Sequence, residues 1–148
     1  MPARIPDMSV ADALDMMPQK GTMRLLERVV ESSETAITCQ ARDHRPLDYP
    51  LRIGGMLLGV SLVELGAQAA AAHASLHGIG GHHAGLLLAL HDVEVKLQNG
   101  DDATGCFLAH AEQLYFDEGV ARYRFSVCDD CGERIRGEAM MKMQAIKA

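Results

Sequence analysis

The chain of 148 residues has 14 Lys and Arg residues against 20 Asp and Glu residues, a formal net charge of −6 and a pI near 5.6. This acidity argues against binding to nucleic acid or to an anionic membrane surface. The length predicts one domain over residues 1–148 with a real hydrophobic core. Four cysteines do not make a disulfide scaffold, and the N-terminus lacks the apolar core of a secretory signal, so we expect a cytoplasmic protein with reduced thiols.

The first third of the chain predicts a short helix followed by a hairpin. Residues 9–17 begin with Ser9 and have Asp12 three positions on, which is typical of a capped helix start. Residues 23–31 and 35–42 predict two strands, which the polar residues 32–34 connect as a turn. Residues 43–53 contain Pro46 and Pro50 and predict a loop.

Residues 54–78 predict one buried central helix. Its apolar residues lie on several faces of a helix, and its second half is almost all alanine, so protein should enclose it on every side. Glu64 and Gln68 are the two strongly polar residues of its first four turns, and their spacing of four places them on one face. Since a carboxylate is costly to bury, Glu64 is the first candidate functional residue.

Four strands are predicted after the helix, because apolar and polar residues alternate in most of this region. Three segments between these strands carry hairpin residues: residues 99–102, 117–119 and 129–132. A hairpin, one long helix and a four-strand meander form an α+β hot-dog fold, in which an antiparallel sheet wraps around one long central helix. Such a sheet leaves long edges, and the apolar residues 85–90 predict a dimer seam at one of them.

Three segments resemble the 3-hydroxyacyl-[acyl-carrier-protein] dehydratases of the hot-dog superfamily, and most closely their divergent members from bacterial polyene and fatty-acid gene clusters. Residues 18–30 resemble the opening Pro-His-Arg motif and first strand of that family. Leu58-Gly59-Val60 with Glu64-Leu-Gly-Ala-Gln68 resembles its Pro-Gly-Val followed by Glu-Ala-Met-Ala-Gln, at the same spacing. Residues 90–95 and 99–101 resemble the strand after the helix and its turn.

The resemblance implies dehydration of 3-hydroxyacyl thioesters carried on acyl carrier protein, in fatty-acid or polyene synthesis and without a cofactor. In the family, a histidine before the helix acts as base, and the helix carboxylate acts with it from the other subunit of the dimer. At the corresponding position this sequence has Pro50, with Tyr49 beside it, and Gln19 stands where the opening motif usually has histidine. His44 is the nearest histidine in the same loop and is the alternative base.

Four residues receive roles beside the acid Glu64. His44 and Tyr49 are the candidate catalytic partners, although a phenol with an ordinary pKa near 10 would donate a hydrogen bond better than it would remove a proton. Gly59 is expected to offer its backbone N–H to the thioester carbonyl at the start of the helix. Gln68 is expected to hold the carboxylate of Glu64. Each also has a plain structural reading, as a packing glycine, a polar core residue or a loop side chain.

The sequence does not favour a metal site. His73 and His77 are spaced as zinc ligands can be, and His82 and His83 follow, but nine positions from Glu64 to His73 correspond to about half a turn of azimuth, so these histidines face away from the acid. The pair in Cys128-Asp-Asp-Cys131 lacks a second pair and predicts a hairpin turn instead.

Three functions therefore stay open. The first is the dehydratase, with an acyl carrier protein-bound thioester as substrate and a homodimer, a heterodimer or a higher hot-dog oligomer as the assembly. The second is a non-catalytic acyl-binding subunit that pairs with an active dehydratase, as the absent histidine suggests. The third is a hot-dog thioesterase, in which the carboxylate activates water. We expect no binding to nucleic acid or membrane.

Overall fold

The computed structural model describes residues 23–77 and 82–145. The helix predicted over residues 9–17 and the motif with Gln19 lie outside these residues. The described part has six strands and one α-helix, with bounds β1 Leu26–Ser32, β2 Ala36–Ala41, α1 Val63–His77, β3 His82–Val95, β4 Leu108–Asp117, β5 Val120–Asp129 and β6 Gly132–Ala145. Short 3-10 turns lie at Gly59–Leu62, directly before α1, and at Gly100–Asp102.

The six strands form one antiparallel sheet in the order β1-β2-β4-β5-β6-β3. Burial alternates along β2 and β5, because one face of the sheet packs on the helix and the other meets solvent. The sheet wraps around α1, which confirms the α+β hot-dog fold predicted from the order of the elements. In this sheet β1 and β3 are the two edge strands.

The helix is enclosed as its composition predicts. Every residue from Leu65 to Ser75 is buried, so the helix lacks a solvent-facing stripe over three turns. Gly66 faces the ring of Phe125, and a Cβ there would lie 2.2 Å from the Phe125 Cδ2. The small residues therefore let the helix approach the sheet closely, and the aromatic ring of β5 fills the space that they leave.

The helix begins later than predicted. Residues 54–58 are not helical, because Gly54 and Gly55 have φ values of 57° and 80° and form a tight turn. Ile53 and Met56 flank this turn and exchange two backbone hydrogen bonds of 2.9 and 3.0 Å. The two glycines thus end the preceding loop with a small hairpin, and helical geometry starts only at Gly59.

The hairpin turns have the residues that their geometry requires. Between β4 and β5, Glu118 and Gly119 have positive φ values of 48° and 79°. Between β5 and β6, the carboxylate of Asp129 accepts the N–H of Cys131 at 2.8 Å, which confirms the hairpin turn predicted at this pair of cysteines. Of the four strands predicted after the helix, the second begins only at Leu108, since Gly105 has a φ of 79° and a Cβ there would lie 2.4 Å from Asp130 Oδ2.

Candidate functional site

The loop that contains both candidate bases folds as a compact unit between β2 and the helix. The N–H of Tyr49 donates to Pro46 O at 3.1 Å, and the N–H of Arg52 donates to Tyr49 O at 2.9 Å. These two successive turns bring the side chains of His44 and Tyr49 into the core, although the flanking residues from Arg45 to Asp48 are exposed.

His44 is a buried histidine with an unsatisfied nitrogen. The residue is 3% exposed, and its ring lies 4.6 Å from the ring of Phe107 and 6.5 Å from that of Tyr49, between centroids. Its Nδ1 is buried and has no hydrogen-bond partner among the described residues. Burial lowers the pKa of His44 below its ordinary value, and Asp43 partly opposes this shift. The imidazole is therefore neutral at pH 7, as a general base must be.

Tyr49 is buried beside it and has a second unsatisfied polar atom. Its hydroxyl has no hydrogen-bond partner within residues 23–77 and 82–145, and burial raises its pKa to about 12. A phenol with this pKa stays protonated throughout the physiological range, so it is suited to donate a hydrogen bond and not to remove a proton. Two buried polar atoms without partners in one loop are unusual in a folded protein and suggest that a bound group completes them.

Glu64 and Gln68 are joined at the start of the helix. Gln68 Nε2 donates to Glu64 Oε1 at 3.0 Å and to Met23 O at 2.7 Å, and Gln68 Oε1 accepts the N–H of Leu25 at 2.8 Å. Gln68 is fully buried, whereas Glu64 is only half-buried. The amide thus fixes one oxygen of the carboxylate and leaves the side chain accessible from one side.

The acid and the candidate base belong to one connected backbone region. The Leu25 backbone, which Gln68 holds, accepts the N–H of Arg42 at 2.8 Å, and Arg42 lies two residues before His44. Within residues 23–77 and 82–145 no hydrogen bond joins Glu64 to His44 directly. The structure therefore shows two supported groups near the same end of the sheet, without a direct contact between them in one protomer.

Gly59 differs from its predicted role. Its N–H donates to Gln98 O at 2.8 Å, so it is not a free donor for a thioester carbonyl. A Cβ at this position would lie 1.5 Å from Leu97 O, and close packing is therefore why a glycine is required here. Val60 is the next residue of the same turn, and its N–H donates in none of the loop and turn hydrogen bonds between described residues. We therefore take this amide as the candidate donor at the start of the helix.

Arg52 organises the loop and was not singled out by the sequence. Its side chain is only 4% exposed, and its guanidinium donates to the carbonyl oxygens of His44, Pro46 and Gly55 at 2.9–3.0 Å. The same guanidinium forms a bidentate pair with Asp101, at 3.0 and 2.5 Å. Since the two residues are 49 positions apart, no local pattern in the sequence links them.

His73 is buried in the core, and His77 packs on it. His73 Nδ1 lies 2.7 Å from the Tyr123 hydroxyl, His73 Nε2 lies 3.1 Å from Ser33 O, and the ring of His77 stacks on that of His73 at 4.4 Å. Burial, reinforced by His77, lowers the pKa of His73 to about 4. In the described part of the chain, His, Cys, Asp and Glu form no group of three that could hold a metal ion.

Two exposed apolar segments lie outside the core. One precedes the helix and contains Ile53, Met56, Leu58 and Val60. The other is on the edge strand β3 and contains Leu87, Leu88 and Leu90, inside the seam predicted over residues 85–90. Apolar side chains concentrated on an edge strand and on the loop before the helix are typical of surface that another subunit covers.

A cavity of about 340 Å³ lies elsewhere, on the outer face of the sheet, and charged side chains such as Glu94, Glu112, Arg124 and Arg136 line it. It does not include Glu64 or His44. Two of these lining residues, Arg136 and Glu94, form an ion pair at 2.8 Å. None of the helices in the described residues is long and apolar enough to cross a membrane.

The chain matches a family model described as ApeP dehydratase over residues 11–145. Among solved structures it is similar to a chain of the dehydratase heterocomplex ApeI:P from Xenorhabdus doucetiae, at 20% identity over 88% of this chain and 90% of that one, with a TM-score of 0.74.

It is also similar to a thioesterase from Haemophilus influenzae, at 12% identity over 98% and 96% of the two chains with a TM-score of 0.70. A hypothetical thioesterase from Streptococcus pneumoniae, solved with coenzyme A, gives 11% identity over 82% and 88% with a TM-score of 0.61. At these identities the similarities to solved structures show the hot-dog fold. No curated protein matches the sequence. The family match covers most of the chain, which therefore belongs to the ApeP-like dehydratases.

Proposed function

We propose that the chain dehydrates 3-hydroxyacyl thioesters carried on acyl carrier protein, in fatty-acid or polyene synthesis, as one subunit of a hot-dog dimer. One observation carries this proposal: Glu64 stands at the start of the core helix, held by Gln68 at 3.0 Å and accessible on one side. The membership in the dehydratase family supports the reaction class.

Glu64 acts as the acid in this proposal. Loss of water from a 3-hydroxyacyl thioester removes a proton from the carbon beside the carbonyl and breaks the bond to the β-hydroxyl. The leaving β-hydroxyl takes a proton from Glu64 and departs as water, and the 2-enoyl thioester remains. The hydrogen bond from Gln68 restricts the rotamer of Glu64, so that the proton is delivered in one direction.

His44 takes the proton from the carbon. This role is supported by the burial of its neutral imidazole, whose Nδ1 has no hydrogen-bond partner among the described residues. Tyr49 is the neighbouring donor, and its hydroxyl would hydrogen-bond an oxygen of the substrate. The N–H of Val60 replaces that of Gly59 as the donor to the thioester carbonyl, where negative charge develops. In the family that this sequence resembles, acid and base come from different subunits, which fits the lack of a direct Glu64–His44 contact in one protomer.

Pairing of subunits is part of the proposal. The exposed apolar residues before the helix and on β3 offer the surface, and a dimer would enclose the acyl chain between them. The partner is a second copy or another hot-dog protein. The structural neighbour from X. doucetiae is named as a heterocomplex, which supports the second arrangement.

The test uses purified protein and a 3-hydroxyacyl thioester on acyl carrier protein, with formation of the 2-enoyl product followed. Glu64→Gln should abolish turnover and keep the fold, because the amide preserves the contact with Gln68 but cannot donate the proton. His44→Ala should lower turnover by about 100-fold or more. Glu112→Gln on the outer face is the matched control and should be unaffected. Retained turnover in Glu64→Gln would remove this residue from the mechanism.

Two rival functions have specific support. The similarity to thioesterases favours hydrolysis, with Glu64 activating a water molecule, and release of a free thiol from an acyl thioester in the same assay would reveal it. The absence of histidine at Pro50 favours a non-catalytic subunit. That function predicts thioester binding without turnover by the chain alone, and turnover that appears only with a partner and survives Glu64→Gln.

A further inference from the structure

One side chain, that of Arg52, bonds to several carbonyl oxygens of the loop with His44 and Tyr49. Arg52 donates to the carbonyl oxygens of three consecutive residues, His44 at 3.0 Å, Arg45 at 3.4 Å and Pro46 at 3.0 Å. On its other side the guanidinium reaches Gly55 O at 2.9 Å. One planar group thus closes both ends of the loop, a task that needs several donors in a rigid arrangement.

Asp101 connects this clamp to the rest of the fold. Its carboxylate accepts both terminal nitrogens of Arg52, and its own backbone N–H is fixed by the Asn99 side chain at 2.9 Å. The same turn is tied to the start of the helix, because the N–H of Gly100 donates to Leu57 O at 2.7 Å. These contacts therefore fix the position of the His44 loop relative to the helix that contains Glu64.

We propose that Arg52 is a positioning residue: with Asp101 as its anchor, it holds His44 and Tyr49 in their buried positions relative to the start of the core helix. The effect of Arg52 on catalysis rests on the proposed function, whereas its role in positioning the loop does not. Without the clamp, six hydrogen bonds are lost or rearranged, four to loop carbonyls and two to Asp101, and water reaches the ring of His44.

The titration of His44 distinguishes this role from a purely electrostatic one. The groups that act on the ring are Asp43 and Arg45 beside it, Arg52 within the loop and Asp101 from the adjacent turn. Burial is the main cause that lowers the pKa of His44, the two arginines lower it further, and the two carboxylates raise it. Removing Asp101 as a charge alone would lower the pKa of His44, whereas opening the loop would raise it towards 6.5.

The experiment follows the His44 ring proton by NMR against pH in the full chain, with the resonance assigned by its loss in His44→Ala. The variants are Arg52→Gln, Arg52→Lys and Asp101→Asn. The control is Arg136→Gln, which removes an exposed arginine–carboxylate pair from the outer face, away from His44. The pKa of His44 should rise towards its ordinary value in all three loop variants, since lysine lacks the fork, and should not change in the control.

A pKa that stays unchanged in the loop variants overturns the proposal, and so does a rise in Arg52→Gln together with a fall in Asp101→Asn. Asp101→Asn changes an exposed side chain without altering its shape, so it still gives the answer if the Arg52 variants fail to fold.

Activity is the second readout. Arg52→Lys should lower kcat by about 100-fold with little change in KM, because a base displaced by about 1 Å loses this much. An active parent whose Arg52→Lys variant keeps the parental kcat contradicts the inference and leaves the dehydratase standing. A parent without activity contradicts the proposed function, while the titration still decides the role of the clamp.

Discussion

Gln68 Nε2 donates to Glu64 Oε1 at 3.0 Å, one helical turn away, and the same amide fixes the backbone on both sides of Arg24 through Met23 O and Leu25 N. The residue that orients the acid is therefore also a link between the helix and the segment entering β1. Replacing Gln68 should therefore affect both the orientation of Glu64 and the stability of the fold.

Gln68→Leu is predicted to destabilise the fold. The N–H of Leu25 would stay buried without an acceptor, which costs about 1–3 kcal/mol of unfolding free energy. Urea denaturation measures this loss. The control is Gln40→Leu, since Gln40 accepts from Arg28 in an exposed pair on the sheet and should cost less than about 1 kcal/mol. Equal losses in both variants would contradict a structural role specific to Gln68.

Tyr49→Phe is predicted to keep or slightly raise stability, by up to about 1 kcal/mol, because it removes a buried hydroxyl that has no partner. Tyr123→Phe is the matched control. Its hydroxyl lies 2.7 Å from His73 Nδ1, and its loss should cost about 1–3 kcal/mol. Thermal or urea unfolding of both variants gives the comparison. A clear destabilisation by Tyr49→Phe would show that its hydroxyl has a partner in the folded chain.

These contrasts show which parts of the molecule the sequence could predict. Alternation along the strands and the unbroken apolar character of the helix predict the hot-dog fold, because both patterns are local. The predicted start of the helix at Gly54 is wrong: the 3-10 turn begins five residues later and α1 nine residues later, since Gly54 and Gly55 adopt the left-handed conformation of a turn.

The candidate site was predictable only in its composition. Glu64 and Gln68 are four residues apart on a helix, so their contact follows from helical geometry. The burial of His44 depends instead on Arg52 and Asp101, which meet only after the chain has folded. The prediction that Gly59 offers a free N–H is wrong for a similar reason, because this N–H donates to the carbonyl oxygen of Gln98 on a distant segment.

Stability is predicted to fall as the pH is lowered from about 6.5 to about 4. His73 binds its proton near pH 4 in the folded chain and near pH 6.5 when unfolded, so the unfolded state takes up more protons in this window. The groups that act on His73 are His77 on the same helix and the backbone of Ser33 and Glu34 in the hairpin turn, while the carboxylate of Glu34 acts on His77. Burial raises the pKa of the Tyr123 hydroxyl beside His73, which therefore stays protonated.

The contribution of His73 is at most about 3 kcal/mol between the ends of that window. His73→Gln should remove most of this dependence, which urea unfolding at several pH values measures. His91→Gln on the exposed surface is the control and should retain it. An unchanged slope in His73→Gln would assign the acid sensitivity to the other buried histidines.

The last prediction concerns the seam on β3. Leu88 on this edge strand is 48% exposed, and Val30 on the opposite edge strand β1 is 46% exposed. The two positions therefore lie on different edges of the sheet but have nearly the same exposure. If β3 forms the dimer seam, Leu88→Glu should raise the dimer dissociation constant by at least about tenfold, because an unpaired carboxylate would be buried there. Val30→Glu should leave the dimer intact. Sedimentation velocity at micromolar concentration resolves the two species. Dissociation by Val30→Glu alone would place the seam on β1, and a parent that sediments as a monomer would show that pairing requires a different subunit.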